Sequence, residues 1–360
     1  MISLLDADLT CAGGAQAGIH RPTHGDMDKS NSCFENITAT LRSLNDEELT
    51  EIVEAYITFG GRHRATGDRL NAFVDGLCHV PSVHAQSLLA RHVILAPAPD
   101  AELVKRVLFV VARGIVESKG LISTNLIQAA RALAFEQDTL PVELRQRSLA
   151  SQARLILGII AASVQRVDET AAHAIVAELE TQLGLHDEAQ SASLRARREA
   201  GEELMSKMHP HHPDYEEWAW EARAPHREEE DKMVLLESLG NARMPRSLDH
   251  ILSYVNSSTA TRSMRRASVS ALRHYDCEQS AGALIEAVAM DSEPQVRVDA
   301  YRVCVCTSRN GYTRSQCCIR PTAKIPCSDT ACPSLPRRPW TQYLLTAPFL
   351  QVSCTSACND

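Results

Sequence analysis

Residues 233–240 read MVLLESLG, residues 264–273 read MRRASVSALR and residues 296–305 read VRVDAYRVCV, and the three segments align on one register. Apolar residues recur in two columns of this alignment, which are Leu236, Val269 and Tyr301 in the first and Leu239, Leu272 and Cys304 in the second. Second helical segments, PRSLDHILSYV and EQSAGALIEAVA, lie between the aligned segments. A helix pair that repeats after 33 and then 32 residues is typical of an α-solenoid.

The helical period extends backward from these repeats to residue 31. Asn45, followed by Asp46, Glu47 and Glu48, predicts a capped helix start with an acidic first turn. Further apolar residues recur at helical spacing, the predicted loops are short, and no stretch alternates apolar and polar residues as a half-buried strand does. We therefore predict an all-α fold, a right-handed α-α superhelix of HEAT-like repeats over residues 31–303, with disordered or irregular ends.

Three segments interrupt or flank this pattern. Residues 1–30 show no periodicity and are predicted to be a disordered lead-in. Residues 186–231 are rich in Glu, Arg and His and are predicted to form a solvated insertion between helices. Residues 304–360 hold eight of the twelve cysteines. They read either as a small disulfide-bonded module or as a stretch outside the native reading frame, and the abrupt loss of the repeat favours the second interpretation.

Composition narrows the classes of function. The chain is 44% hydrophobic but only 4% aromatic, which favours helices packed through Ala and Leu over a β-sandwich. A net charge of −8 argues against a nucleic-acid partner. No apolar run is long enough to span a bilayer, and the first residues do not form a signal peptide. Either the protein is cytoplasmic or the chain lacks its true beginning.

Residues capable of chemistry are few, and each has a structural alternative. The densest metal-capable cluster is His209, His211, His212 and Asp214. These residues lie in a proline-broken acidic segment, so a solvated loop is favoured over a zinc site. Ser268 follows two arginines as in a kinase site, but the repeat register favours a packed helix face. No nucleotide-binding, zinc-protease or hydrolase motif is present, so we predict no enzyme, cofactor or metal.

Cysteine pairs and sequons give weaker signals. Cys304 with Cys306, and Cys327 with Cys332, lack the spacing of structural zinc or redox sites. Asn36 and Asn256 begin glycosylation sequons, and Asn256 is the better candidate because it lies in a predicted exposed loop. One helix is apolar nearly all round, which suits burial or lipid contact equally; the residues concerned are Ile156, Leu157, Ile159 and Ile160.

The segment LLESLGNARMPRSLDHILSYVNSSTATRSMRRASVSALRHY, residues 235–275, resembles the helical domain of the large lipid transfer proteins. That family includes vitellogenin, apolipophorin and the large subunit of microsomal triglyceride transfer protein. The matching pieces are Leu239-Gly240-Asn241, Pro245 and the helix at residues 264–273. NAFVDGLCHVPSVHAQSLLARHVIL, residues 71–95, is a second, weaker match. The resemblance covers roughly residues 35–303.

The resemblance implies a secreted lipid carrier in which a superhelix walls part of a lipid cavity closed by β-sheets. It implies phospholipid or neutral lipid as ligands, and a lipoprotein receptor or a partner subunit as binding partners. Neither an amino-terminal barrel nor cavity sheets are recognisable here, so we expect the chain to be the helical fragment of a longer protein. The alternative hypothesis is a HEAT-like scaffold that binds proteins and has no lipid role.

Overall fold

The computed structural model describes residues 24–58, 60–188, 203 and 224–309, and all regular structure in these ranges is helical. The α-helices of these ranges are α1 (His24–Ser43), α2 (Asp46–Tyr56), α3 (Gly67–Cys78), α4 (Val83–Leu89), α5 (Ala101–Glu117), α6 (Thr124–Phe135), α7 (Arg147–Val164), α8 (Glu169–Glu188), α9 (Ala224–Ala242), α10 (Leu248–Val255), α11 (Arg262–Ala271), α12 (Glu278–Met290) and α13 (Pro294–Arg309). A π-helical turn, Ala90–Ile94, continues α4. The predicted all-α class is confirmed.

Local signals in the sequence fix several helix starts. The Asn45 side chain accepts hydrogen bonds from the backbone N–H groups of Glu47 and Glu48, both at 3.0 Å. The Glu48 carboxylate accepts in return from the backbone N–H of Asn45, which completes a capping box. Asp100 and Asp168 cap α5 and α8 through their carboxylates. These boundaries follow from residues within one turn of the helix start.

The helices form two layers. Each odd-numbered helix from α1 to α9 contacts the next odd-numbered helix, and α2 contacts α4, α4 contacts α6, and α10 contacts α12. Ion pairs continue this order, because Arg266 of α11 pairs with Asp299 of α13 at 2.6 Å. Consecutive helices therefore pair across the layers, and the apolar core lies between them. This is the predicted helix-pair solenoid, and a superhelical arrangement is consistent with it.

Glycines bring the backbones of neighbouring odd-numbered helices together. A Cβ on Gly114 of α5 would lie 2.3 Å from the carbonyl oxygen of Cys78 in α3. A Cβ on Gly158 of α7 would lie 2.2 Å from the carbonyl oxygen of Ser238 in α9. Gly240, in the Leu-Gly-Asn triplet of the resemblance, approaches α11 in the same way. Only glycine fits these positions, since any side chain would overlap a neighbouring backbone.

The predicted insertion is shorter than its composition suggested. Helix α8 continues to Glu188, and α9 begins at Ala224, eight residues before the predicted start at residue 232. Arg147 of α7 pairs with Glu230 at 2.8 Å, and Arg154 of α7 pairs with Asp231 at 2.9 Å. These carboxylates, assigned from sequence to a solvated segment, are therefore part of a helix that packs on α7. Residues 189–202 and 204–223 lie outside the described residues.

The two ends also depart from the predicted boundaries. Helix α1 begins at His24, seven residues before the predicted start, and α13 continues to Arg309, six residues beyond the predicted end. Residues 1–23 and 310–360, which include most of the predicted lead-in and tail, lie outside the described residues.

The repeat columns hold with one exception. Five of the six aligned apolar residues are buried, but Tyr301 is 59% exposed. Tyr301 lies on α13, which is the last odd-numbered helix among the described residues. Its counterparts Leu236 and Val269 are buried because another helix of the same layer follows theirs.

Candidate functional site

Burial explains why helix α7 is apolar on nearly all sides. It contacts α5, α6, α8 and α9 and so has neighbours in both layers. Ile156, Leu157 and Ile160 are fully buried, and Ile159 is half-buried. Of the two explanations that the sequence left open, packing therefore accounts for most of this apolar surface. Only the side of α7 that faces away from the even-numbered helices retains exposed apolar atoms.

Exposed and half-buried apolar side chains lie together on the odd-numbered layer, on helices α5 and α7. Phe109 and Val116 of α5 are 44% and 61% exposed, and a seven-residue spacing puts them on one helix face. Leu155 and Ile159 of α7 are half-buried and share a face through a four-residue spacing. Helices α5 and α7 contact each other. We call these four residues the outer apolar stripe, since it lies on the side away from the even-numbered layer.

Charged residues near the stripe hold the odd-numbered helices to one another. Arg106 of α5 donates from Nε and Nη2 to the two carboxylate oxygens of Asp75 in α3, at 2.7 and 2.5 Å. The hydrogen bonds with Asp75 raise the pKa of Arg106. The Arg154–Asp231 pair joins α7 to α9 in a similar way. These partly buried ion pairs and the glycine contacts hold α5 and α7, which carry the outer apolar stripe, against their neighbouring helices.

The other layer presents a different surface at its first helix. Helix α2 exposes four carboxylates, those of Asp46, Glu47, Glu51 and Glu54. Exposed large apolar residues on even-numbered helices, such as Val83 and Met290, lie on separate helices, α4 and α12. The apolar exposure on α5 and α7 is therefore the more continuous of the two. Sequence analysis missed Phe109 and Val116, although their seven-residue spacing outside the buried face of α5 was a usable signal.

The two sequons lie in different environments. Asn256 is exposed and follows the last residue of α10, and Ser258 is also exposed, in agreement with the predicted loop. Asn36 is exposed within α1, but Thr38 is buried and its hydroxyl donates to the carbonyl oxygen of Phe34 at 3.0 Å. The Thr38 hydroxyl, which glycosylation of Asn36 would require, is therefore already hydrogen-bonded within α1. Glycosylation stays a prediction, with Asn256 as the better acceptor.

Ser268 is fully buried, and its hydroxyl donates to the carbonyl oxygen of Met264 at 2.9 Å. The preceding arginines are also engaged, Arg265 with Asp291 at 2.9 Å and Arg266 with Asp299 at 2.6 Å. A kinase would have to unfold α11 to reach this serine. The packed helix face predicted from the repeat register is the arrangement observed.

The residues that were considered as metal ligands, and for which no metal site was predicted, lie largely outside the described residues. His209, His211, His212 and Asp214 lie in the range 204–223, and Cys327 and Cys332 lie beyond residue 309. Cys304 is buried on α13, and the side chain of Cys306 is not described. Within the described part of the chain, no group of three or more His, Cys, Asp or Glu residues could hold a metal ion. Within that same part, no helix is long and apolar enough to cross a membrane.

Comparison with known proteins agrees with this architecture. The family model described as the Vitellogenin TPR domain matches residues 19–309. A search of curated proteins found no match to the chain. The matched span includes every described helix and both segments that carry the sequence resemblance. The chain therefore belongs to the large lipid transfer protein family, of which it contains the helical domain.

Proposed function

We propose that this chain acts in lipid transport as the helical wall of a lipoprotein-type lipid carrier, and that it catalyses no reaction. Family membership supports the proposal, and the observation that carries it is the outer apolar stripe. Phe109 and Val116 are 44% and 61% exposed on α5, beside the half-buried Leu155 and Ile159 of α7. Removing such surface from water is favourable by roughly 25 cal/mol per Å².

A single helical wall cannot by itself remove the apolar surface of a lipid from water. Most apolar residues of the two layers pack the layers against each other, so little apolar surface is left to contact lipid. An acyl chain lying on an open wall keeps much of its own surface in water. We expect the longer protein to bind phospholipid or neutral lipid strongly, because further segments would cover the lipid, and we expect this chain alone to bind poorly.

The finer features of the proposal follow from the family. We propose a secreted glycoprotein that contains disulfide bonds, with Asn256 as the preferred glycosylation site. A lipoprotein receptor or a partner subunit is the expected protein partner.

The test loads radiolabelled phospholipid and triglyceride onto this chain and onto a version extended with the rest of its transcript. In the extended protein, the double substitution Phe109→Ser and Val116→Ser should reduce lipid loading. The matched control is Val83→Ser with Val142→Ser, which removes exposed apolar side chains away from the stripe. Equal, strong loading by this chain alone would contradict the open-wall argument. No loading by either protein would leave the protein-binding scaffold as the better hypothesis.

A further inference from the structure

Three arginines lie at the edge where successive odd-numbered helices end and the chain turns into the other layer. Arg166 follows α7, Arg243 follows α9, and Arg273 lies in the 3-10 turn that follows α11. Because α7, α9 and α11 are successive helices of one layer, these turns are neighbours. The approach of Gly240 to Ala271, with an added Cβ only 2.7 Å from the Ala271 Cα, joins the ends of α9 and α11 directly.

Arg243 lies close enough to Arg273 and to Arg166 for each of them to repel its positive charge. Burial lowers the pKa of Arg243, and the positive charges of Arg273 and Arg166 lower it further. Arg273 uses Nη1 to donate to Glu237 at 2.8 Å and to Ser270. Among the described residues, the Arg166 and Arg243 side chains form no ion pair. The cluster therefore carries more positive than negative charge.

Nearby carboxylates are committed elsewhere. Glu180 accepts hydrogen bonds from Arg246 and from the hydroxyl of Ser247. Asp168, two residues after Arg166, accepts from the backbone N–H of Ala171 as the cap of α8. Of the acidic groups described, Glu237 is thus the one that contacts the cluster.

Two buried polar atoms at the same turns lack a hydrogen-bond partner among the described residues. They are Nε2 of His274, which follows Arg273, and Nδ2 of Asn241, which precedes Arg243 by two residues. Asn241 is only 9% exposed. Burial, then Arg273 and Arg243, lower the pKa of His274 to about 3, so its ring is neutral and Nε2 can donate a hydrogen bond. Buried donors without a bonded partner are rare in folded proteins, so these turns can offer hydrogen bonds to an added acceptor.

Two basic residues at this edge have a left-handed backbone conformation. Arg243 has a φ of 56° and Lys119, at the equivalent turn after α5, has a φ of 55°. They are the non-glycine residues with positive φ in the described part of the chain. Glycine or asparagine would adopt this conformation more easily, so the placement of charged side chains here is not explained by turn geometry.

We infer that Arg166, Arg243 and Arg273, together with Nε2 of His274, form a binding site for a phosphate group. The chemistry is common to phosphate monoesters in solution and to phospholipid head groups. An anion between the guanidinium groups would remove their mutual repulsion, and the planar guanidinium donors match two phosphate oxygens at once. This site is separate from the outer apolar stripe and does not depend on the proposed lipid transport.

The test is calorimetric titration of the full chain with inorganic phosphate at low ionic strength. The double variant Arg166→Gln and Arg243→Gln should bind phosphate at least about tenfold more weakly, since each lost charge-assisted contact removes a strong hydrogen bond. The matched control is Arg113→Gln with Arg262→Gln, two exposed arginines elsewhere on the array, which makes the same change in net charge. Circular dichroism should show unchanged helix content in both variants.

A second set of titrations identifies the source of the phosphate. Glycerol 3-phosphate represents soluble monoesters, and phosphatidylcholine vesicles containing phosphatidic acid represent head groups, with pure phosphatidylcholine vesicles as the reference. Binding of either probe that the Arg166/Arg243 variant loses and the control retains supports the site. The inference is wrong if the unsubstituted chain binds none of the three phosphate probes, or if the control loses binding to the same extent.

Discussion

Arg154 of α7 donates from Nη1 to Oδ1 of Asp231 in α9 at 2.9 Å, although the two residues are 77 positions apart in the chain. The pair is mostly shielded from solvent, and Asp231 also accepts from Nε of Arg147 at 3.3 Å. The Asp231 carboxylate therefore joins α9, which follows residues 189–223 in the chain, to α7, which precedes them.

Asp231→Asn should lower the free energy of unfolding by about 1–3 kcal/mol, because the mostly buried Arg154 would lose its charged partner and Arg147 would keep only Glu230. Urea denaturation followed by circular dichroism measures the change. Asp138→Asn removes one charge from an exposed residue and should change stability by less than about 0.5 kcal/mol. Equal effects of the two substitutions would show that the pair does not stabilise the α7–α9 contact.

Gly158→Ala should destabilise the protein by about 1–3 kcal/mol, since the added Cβ would overlap the Ser238 carbonyl oxygen unless α7 and α9 move apart. Gly282→Ala is the matched control. Gly282 lies within α12, and nothing lies within 4 Å of an added Cβ. There, alanine should raise stability by about 0.5–1 kcal/mol. Thermal denaturation of the two variants should therefore shift in opposite directions.

Asn45→Ala should reduce stability by about 1 kcal/mol, because it removes the acceptor for the first backbone N–H groups of α2. Thr66, at the equivalent position before α3, makes no side-chain capping bond. Thr66→Ala should consequently have an effect of no more than a few tenths of a kcal/mol. Matching losses in the two variants would contradict the capping box as the cause.

His274 should make the protein less stable as the pH falls. Its pKa is about 3 in the folded protein and near 6.5 when the chain unfolds, so the unfolded state takes up the proton first. Its contribution is complete above pH 6.5 and is lost progressively as the pH decreases towards 3. His274→Gln should flatten the dependence of unfolding free energy between pH 7 and pH 4, by the order of 1–2 kcal/mol after allowance for partial exposure.

Sequence reasoning succeeded where the cause is local. Asn45 and Glu48 lie within one turn of each other, so their capping box was readable before any tertiary contact was known. The buried repeat columns were readable for the same reason, since a helix face is defined by spacing alone. The family resemblance added the expected role of the array.

Sequence reasoning failed where a feature depends on contacts between residues that are distant in the chain. The start of α9 was misplaced because Asp231 is held by Arg154, which is distant in sequence. The exposure of Tyr301 depends on what packs beside α13. The arginine cluster draws single residues from three separate turns, and neither Arg166 nor Arg243 has a neighbour in sequence that suggests a shared site.

The glycine contacts of the odd-numbered layer also limit how its helices can move. Two helices that meet through side chains can slide past each other, because side chains change rotamer as the helices shift. Gly158 and Gly240 leave no such freedom, because a displacement of one turn would press a Cβ-bearing residue against a neighbouring backbone. These helices can pivot but are locked in register. A helical array built in this way resists shear, so any change in its curvature would have to come from rotation between repeats.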